Sequence, residues 1–289
     1  MLIRVSKQQE IDEIVKYIGA SYKSTPYLYV NVIKYGLGTE NVLTWIDRNV
    51  SGQIEGVYLL YYDCIHFYTN DVDNYPIESL LEFIHSTNHK VLMLQGAIGD
   101  RIDSAFPTYY SERNHVIDMD KVGLEKKEYK SEIAKQEDIP EIVELLMADP
   151  EYINVYDRRI LANQLFDRFD GGFSRYFVVK IDNRVVATCS TYGEVPGFAL
   201  VGGTIVHPEY RRRGLAGDVE NYACYILEKE KKSRVGFVNY HNTASLALHE
   251  KIGAISVATL AKFVRKAFIT VLEAFLDIIH RLLILINVI

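Results

Sequence analysis

The second half of the chain carries the clearer alternation of apolar and polar positions. In "DIPEIVELLMADP" (138–150), Ile142, Val143, Leu145 and Leu146 share one face; Asp138 stands as a cap and Pro140 in the first turn, which predicts a helix. "RRILANQLFDRF" (158–169) repeats the helical period. "RYFVVKID", the turn "NR" and "VVATCSTYG" predict a hairpin, "EVPG" turns again, and "FALVGGTIV" returns as a third strand that Pro208 ends. A long helix is expected from about Gly214 to Lys231. Then come a strand at "SRVGFVNY", a helix at "NTASLALHEKIG" closed by Gly253, and a last strand at "ISVATLAKFV". The first half echoes this order more weakly: "VLTWIDRNVSGQIEGVYLLYYD" follows the pattern of the 175–193 hairpin, "CIHFYT" that of "FALVGGT", and "IESLLEFIHSTNHKVLMLQG" reads as helix then strand. An internal duplication accounts for the echo; two unrelated α/β segments with similar turns are the alternative.

A charged stretch, "DMDKVGLEKKEYKSE", separates the halves, so the chain divides into 1–126, 127–266 and a final segment 267–289. A chain of 289 residues, 48% hydrophobic and 24% charged, suits two folded domains. The formal net charge of -6 argues against a nucleic-acid partner and requires any polyphosphate ligand to have a local site. Cys64, Cys189 and Cys224 are far apart, no metal-ligand spacing occurs, and the N-terminus lacks the apolar run of a signal peptide; a cytoplasmic protein with reduced thiols and no metal is expected. The tail "KAFITVLEAFLDIIHRLLILINVI" puts Lys266, Thr270, Glu273, Asp277 and Arg281 on one narrow stripe of a helix that is otherwise apolar. Such a helix must be covered by the rest of the chain, by a second copy in a homodimer, or by a membrane interface. The two basic residues on the stripe favour protein over membrane.

Local positive charge is found at "TIVHPEYRRRGLA", where a strand, a turn and a helix start converge with Arg211, Arg212 and Arg213 beside Gly214. Unpaired amides at a helix start, the positive end of the helix dipole and a glycine that allows close approach suit a pyrophosphate. Arg211, Gly214 and Ala216 fall at the spacing Arg-x-x-Gly-x-Ala, and Asn242, Ser245, Lys251 and Gly253 follow on the next strand and helix. With these two motifs the segment 127–266 resembles the GNAT acetyltransferase superfamily. The fold this implies is α/β (α+β): a mixed, mostly antiparallel sheet flanked by helices, here in tandem with a degenerate first half.

The resemblance implies an acetyl-CoA-dependent N-acetyltransferase acting on a primary amine of a small molecule. The amides of Arg212, Arg213, Gly214, Leu215 and Ala216 would cradle the pyrophosphate, with Arg211 beside them. The edge of Thr204, Ile205 and Val206 would pair with the pantetheine arm, Asn242 would bond it from the other side, and Ser245 holds the motif's small-residue position. The Val206 amide would meet the thioester oxygen. The family's tyrosine, which faces the thiol, is replaced by His249. That residue reads either as the acid for the departing thiolate or as a packing histidine, with Tyr222 and Tyr225 as other donors. Glu194 reads as a base acting through water or as a turn acid, Tyr192 as a positioning or buried residue, and His207 as a turn cap. The segment holding Tyr152, Tyr156, Arg158 and Arg159 lies where the family's acceptor helices lie. The missing tyrosine leaves a second reading, a non-catalytic acyl-CoA-binding module.

Overall fold

The computed structural model describes residues 1–123, 128–153 and 157–266; the expected boundary at 126–127, Tyr156 and the apolar tail 267–289 lie outside the described residues. The elements run β1 (Leu2–Arg4), α1 (Gln8–Ile18), α2 (Pro26–Tyr35), β2 (Val42–Arg48), β3 (Ile54–Tyr61), β4 (Cys64–Tyr68), α3 (Ile77–Ser86), β5 (Val91–Gln95), α4 (Gly96–Ile102) and β6 (Tyr109–Asp118). They continue with β7 (Ser131–Ile133), α5 (Ile139–Met147), α6 (Pro150–Ile153), α7 (Arg158–Asp170), β8 (Tyr176–Ile181), β9 (Arg184–Val195), β10 (Phe198–Val206), α8 (Leu215–Lys229), β11 (Ser233–Asn239), α9 (Thr243–Lys251) and β12 (Ile255–Arg265).

All these strands join one sheet in the order β1-β2-β3-β4-β5-β12-β6-β11-β10-β9-β8-β7. The order is a palindrome in which each strand of the first six faces the strand six places later. The duplication seen in the sequence is therefore present in the topology. Only β4–β5 and β10–β11 pair in parallel among the described residues. At the centre the last strand of each half has crossed into the other. β12 lies between β5 and β6, with Leu260 opposite Gln95 on one side and Asn114 on the other. β6 in turn pairs with β11, Asn114 opposite Asn239.

Alternation within the strands sorts the core. Phe177, Val179, Ala187, Ala199 and Val201 turn to the face covered by Leu215, Val219, Ala223 and Leu227 of α8. Phe198, Leu200, Val235, Val116 and Leu260 turn to the other face, where they meet Val30 of α2. A first-half helix thus covers second-half strands, and each such fully buried aliphatic or aromatic side chain contributes about 1.5–3 kcal/mol. Polar links fix the same junction. Lys23 bonds Asp118 (2.6 Å) and Asp120 (2.5 Å). Arg234, with no exposed surface, donates to the Asp120 and Val122 carbonyl oxygens and pairs with Glu228.

Two local expectations change. Asp138 does not cap α5 through its side chain; it accepts from the Lys135 amide (2.8 Å) and pairs with Lys180 (2.8 Å). β9 runs through Glu194 to Val195, because the turn needs only Pro196 and Gly197, the latter at φ +74°.

Candidate active site

β10 and β11 pair over three residues only, Phe198–Leu200 opposite Ser233–Val235. Beyond that point β10 stays with β9 as far as Val206 opposite Ala187, and β11 stays with β6 as far as Asn239 opposite Asn114. The strands therefore part into a V, walled by Val201–Val206 and Gly236–Asn239 and roughly 20 Å long at the usual rise per residue. Register shifts in β10 drive the parting. Pairing jumps from Gly202 opposite Ser190 to Ile205 opposite Thr188, so Gly203 and Thr204 together face Cys189. Such a bulge leaves an amide out of the ladder and bends the strand. Gly203 sits at φ +67°, and a side chain on Gly202 would strike the Tyr192 ring at 2.5 Å.

At the end of the V, the turn Pro208–Tyr210 leads to Arg211, Arg212 at φ +64°, Arg213 and Gly214 at φ +76°. No side chain caps α8, so its first amides remain available. The first-turn acid, Asp218, is drawn aside by Ser131 (2.6 Å) and the Lys130 amide. Arg211 bonds the Val206 carbonyl oxygen and Arg213 that of Glu209; among the described residues none of the three arginines has an acidic partner. Space around the Cβ direction of Gly214 is open to at least 4 Å. Three exposed cations, free amides and an open glycine together fit a pyrophosphate.

Residues 139–254 match the model of the acetyltransferase (GNAT) family. The match lies wholly within the second half. The whole chain has the fold of several solved structures, one of them a tandem GNAT protein. A tandem GNAT protein from the clavulanic acid biosynthesis pathway superposes with a TM-score of 0.58 at 13% identity, covering 91% of this chain and 97% of that one. A Drosophila protein gives 0.64 at 14% identity, covering 92% and 99%. An acetyltransferase of the GNAT family from Colwellia psychrerythraea gives 0.57 at 12% identity, covering 92% and 100%. At these identities the likeness is one of fold. No curated protein matches the chain.

Several residues of the GNAT reading are placed differently from the expectation. His249 is 7% exposed, with Nε2 2.8 Å from Glu220 Oε1 on α8 and Nδ1 donating to the Ser245 carbonyl oxygen at 2.8 Å. Burial pulls its pKa down, but the Glu220 bond and charge outweigh that and leave it above the usual value. Both ring nitrogens are spent inside the α8–α9 interface, so His249 has no proton directed at a thiol. Tyr222 and Tyr225 pack on Tyr129, and Tyr222 also meets Phe177.

Glu194 is not placed as a base. It stands opposite Ala199, at the joined end of the V, and its carboxylate is held by Arg175 (2.7 and 2.8 Å), Lys232 (2.6 Å) and Thr191 (2.8 Å). Burial raises its pKa; Arg175 and Lys232 more than offset this and keep it below the usual carboxylate value, hence ionised. Val206 has returned to regular pairing, so the displaced amides of β10 are those of the Gly203–Thr204 bulge, two to three residues earlier. Asn242 caps α9 by accepting from the Ser245 amide (3.0 Å), which leaves its Nδ2 group for a ligand. His207 donates its amide to the Val186 carbonyl oxygen and contacts Arg184.

The structure also gathers residues that the motifs do not reveal. Ser190 and Tyr192 on β9 and Tyr152 on α6 converge on the bulge. Tyr27, from α2 of the first half, stacks on Phe237 in the V at 4.7 Å and lies 6.4 Å from Tyr192 and 5.9 Å from His66. Burial brings the His66 pKa down to about 4, so its ring is neutral. The one sequence signal for this cluster is the abundance of tyrosine, 21 in all.

The first half has the equivalent strands without the equivalent cleft. Where β4 and β5 would part, the Gln95 side chain accepts from the Thr69 amide (3.0 Å) and donates to the Thr69 carbonyl oxygen (3.1 Å). It thereby continues the ladder across the gap. The following loop carries Asp71 and Asp73 where the second half carries arginines.

Proposed function

We propose that the chain is an N-acetyltransferase that moves the acetyl group of acetyl-CoA to a primary amine of a small molecule, and that it works in the cytoplasm. The observation that carries this reading is the V between β10 and β11, with its bulge at Gly203–Thr204 and its uncapped, arginine-flanked helix start. The amides from Arg212 to Ala216, with Arg211, would hold the pyrophosphate. The free edge of Thr204 to Val206 would pair with the pantetheine arm as an added strand. The Thr204 amide at the bulge would then meet the thioester oxygen as negative charge develops on it. The amine loses its proton to water at the cleft mouth, where Tyr27 of the first half helps to wall the acceptor side.

The non-catalytic alternative draws on one observation, the engagement of His249 by Glu220. Release of free CoA in the presence of amines separates the two readings. Binding itself is tested at Gly214. Gly214→Glu should weaken acetyl-CoA by at least tenfold, about 1.4 kcal/mol, in a calorimetric titration. Gly214→Ala carries the same backbone strain at positive φ without the charge and should weaken it far less. Equal affinity in a folded Gly214→Glu variant would contradict the assignment.

A further inference from the structure

Three hydroxyls surround the bulge of β10. A Cβ placed on Gly203 would lie 3.0 Å from Ser190 Oγ, 3.1 Å from Tyr192 Oη and 3.3 Å from Tyr152 Oη. At φ +67° a side chain there would be strained and would crowd the three hydroxyls, so the glycine leaves the backbone bare at the point where the strand departs from its ladder. The two tyrosines share a hydrogen bond of 2.5 Å. Ser190 donates to the Gly202 carbonyl oxygen at 3.0 Å, which fixes its hydroxyl and closes one side of the group. Tyr192 is held by two further neighbours: Gly202, whose missing side chain admits its ring, and Tyr27 of the first half. The residue that the motif places at the thiol, His249, is meanwhile bonded at both nitrogens within the α8–α9 interface.

We propose that Tyr192 donates the proton to the departing CoA thiolate, with Tyr152 supplying the proton that replaces it. This rests on the acetyltransferase reading above. The amine nitrogen attacks the thioester carbon and forms the C–N bond; the tetrahedral intermediate collapses and the C–S bond breaks, its electron pair passing to sulfur. The Tyr192 hydroxyl proton moves to that sulfur. Tyr152 passes its own proton along the 2.5 Å bond to Tyr192 and is reprotonated from water. The proton lost by the amine balances the one gained by CoA. A phenol, with an ordinary pKa near 10, is close enough to a thiol's to make this transfer nearly even. The two tyrosines come from different elements, β9 and α6. The relay therefore forms only when the acceptor-side helix is seated on the sheet.

The test uses the full chain with acetyl-CoA, following CoA release with tyramine and spermidine as acceptors, alongside acetyl-CoA titrations of each variant. Tyr192→Phe keeps the ring against Tyr27 and Gly202. It should lower kcat by about 10² while leaving acetyl-CoA affinity within about twofold, and it should remove the fall of kcat at alkaline pH that the relay predicts for the parent. Tyr152→Phe should lower kcat by about tenfold and displace that alkaline limb. A Tyr192→Phe chain with the parent's kcat and pH profile would overturn the proposal and leave the acetyltransferase reading standing. A parent that binds acetyl-CoA yet releases no CoA with either amine overturns the relay and favours the binding-module reading. A parent that does not bind acetyl-CoA overturns both.

Discussion

Expressed apart, residues 1–126 and 127–266 are expected to remain unfolded or to aggregate; expressed together, they are expected to assemble into one folded particle. The reason is the exchange of β6 and β12. Without β12 the first half loses Ala261 and Phe263 from the core that holds Phe67, Leu94 and Ile98, and β5 is left as a bare edge. Without β6 the second half loses Val116 from its shared core, along with Asp120, whose carboxylate accepts from the Arg234 amide at 2.7 Å. Each half retains its own last strand and in principle can fold it back, but the side chains do not permit it. α4 lies directly on β12, with the Cβ direction of Gly96 2.0 Å from Thr259 and that of Gly99 2.1 Å from Ala261. In the two-fold relation that sets Gln95 where Asn239 stands, Arg113 and His115 of β6 occupy the places of Thr259 and Ala261. Neither side chain fits against a helix that has already given up its own side chains to make contact. Circular dichroism melts and size-exclusion profiles of the separate and mixed halves decide the matter. A cooperative melt from either half alone would contradict it.

His249→Ala is expected to destabilise the chain by about 3–5 kcal/mol, because it leaves Glu220, only 1% exposed, as a buried carboxylate without its partner. The melting temperature should fall on the order of 10 °C. The second Glu220 oxygen already lacks a hydrogen bond, so nothing nearby is in place to take over. Replacing both partners, Glu220→Leu with His249→Leu, should recover most of the loss, since the cost lies in the stranded charge rather than in the missing pair. The pH dependence has a definite sign. The folded pKa of His249 is raised above its ordinary value of 6.5, so the stabilisation is fully present below 6.5 and is lost as pH rises through the folded value. The parent should therefore lose stability on the alkaline side, and the double variant should lack that slope. Denaturant midpoints from pH 5 to 9 supply the check. A His249→Ala chain as stable as the parent throughout would contradict a buried ion pair.

The strands β8 to β11 and the helices between them were legible because each is bounded by its own turn chemistry and keeps one strict period. The arginine-flanked helix start, which we propose holds the pyrophosphate, stands out for a related reason: a glycine beside three adjacent cations has few other uses in an acidic chain. The exchange of strands was not. β6 reads "YYSERNHVID", with Ser111, Glu112, Arg113 and Asn114 breaking any apolar alternation, and it becomes a strand because β11 and β12 flank it on both sides. The partners of His249 and Glu194 were hidden by distance. Glu220 lies in the middle of a helix 29 residues before His249, where a glutamate ordinarily faces water, and Arg175 and Lys232 meet Glu194 only after the β8–β9 hairpin and β11 have closed. Tyr27 belongs to a half with no motif at all, and only its packing against Phe237 brings it to the cleft.

The central claim is that one cleft, between β10 and β11, takes the acyl donor, while the matching place in the first half is closed by Gln95. Calorimetric titration of the intact chain with acetyl-CoA tests this most directly. One acetyl-CoA per chain is the predicted result; a stoichiometry of two per chain, or no binding at all, would contradict it.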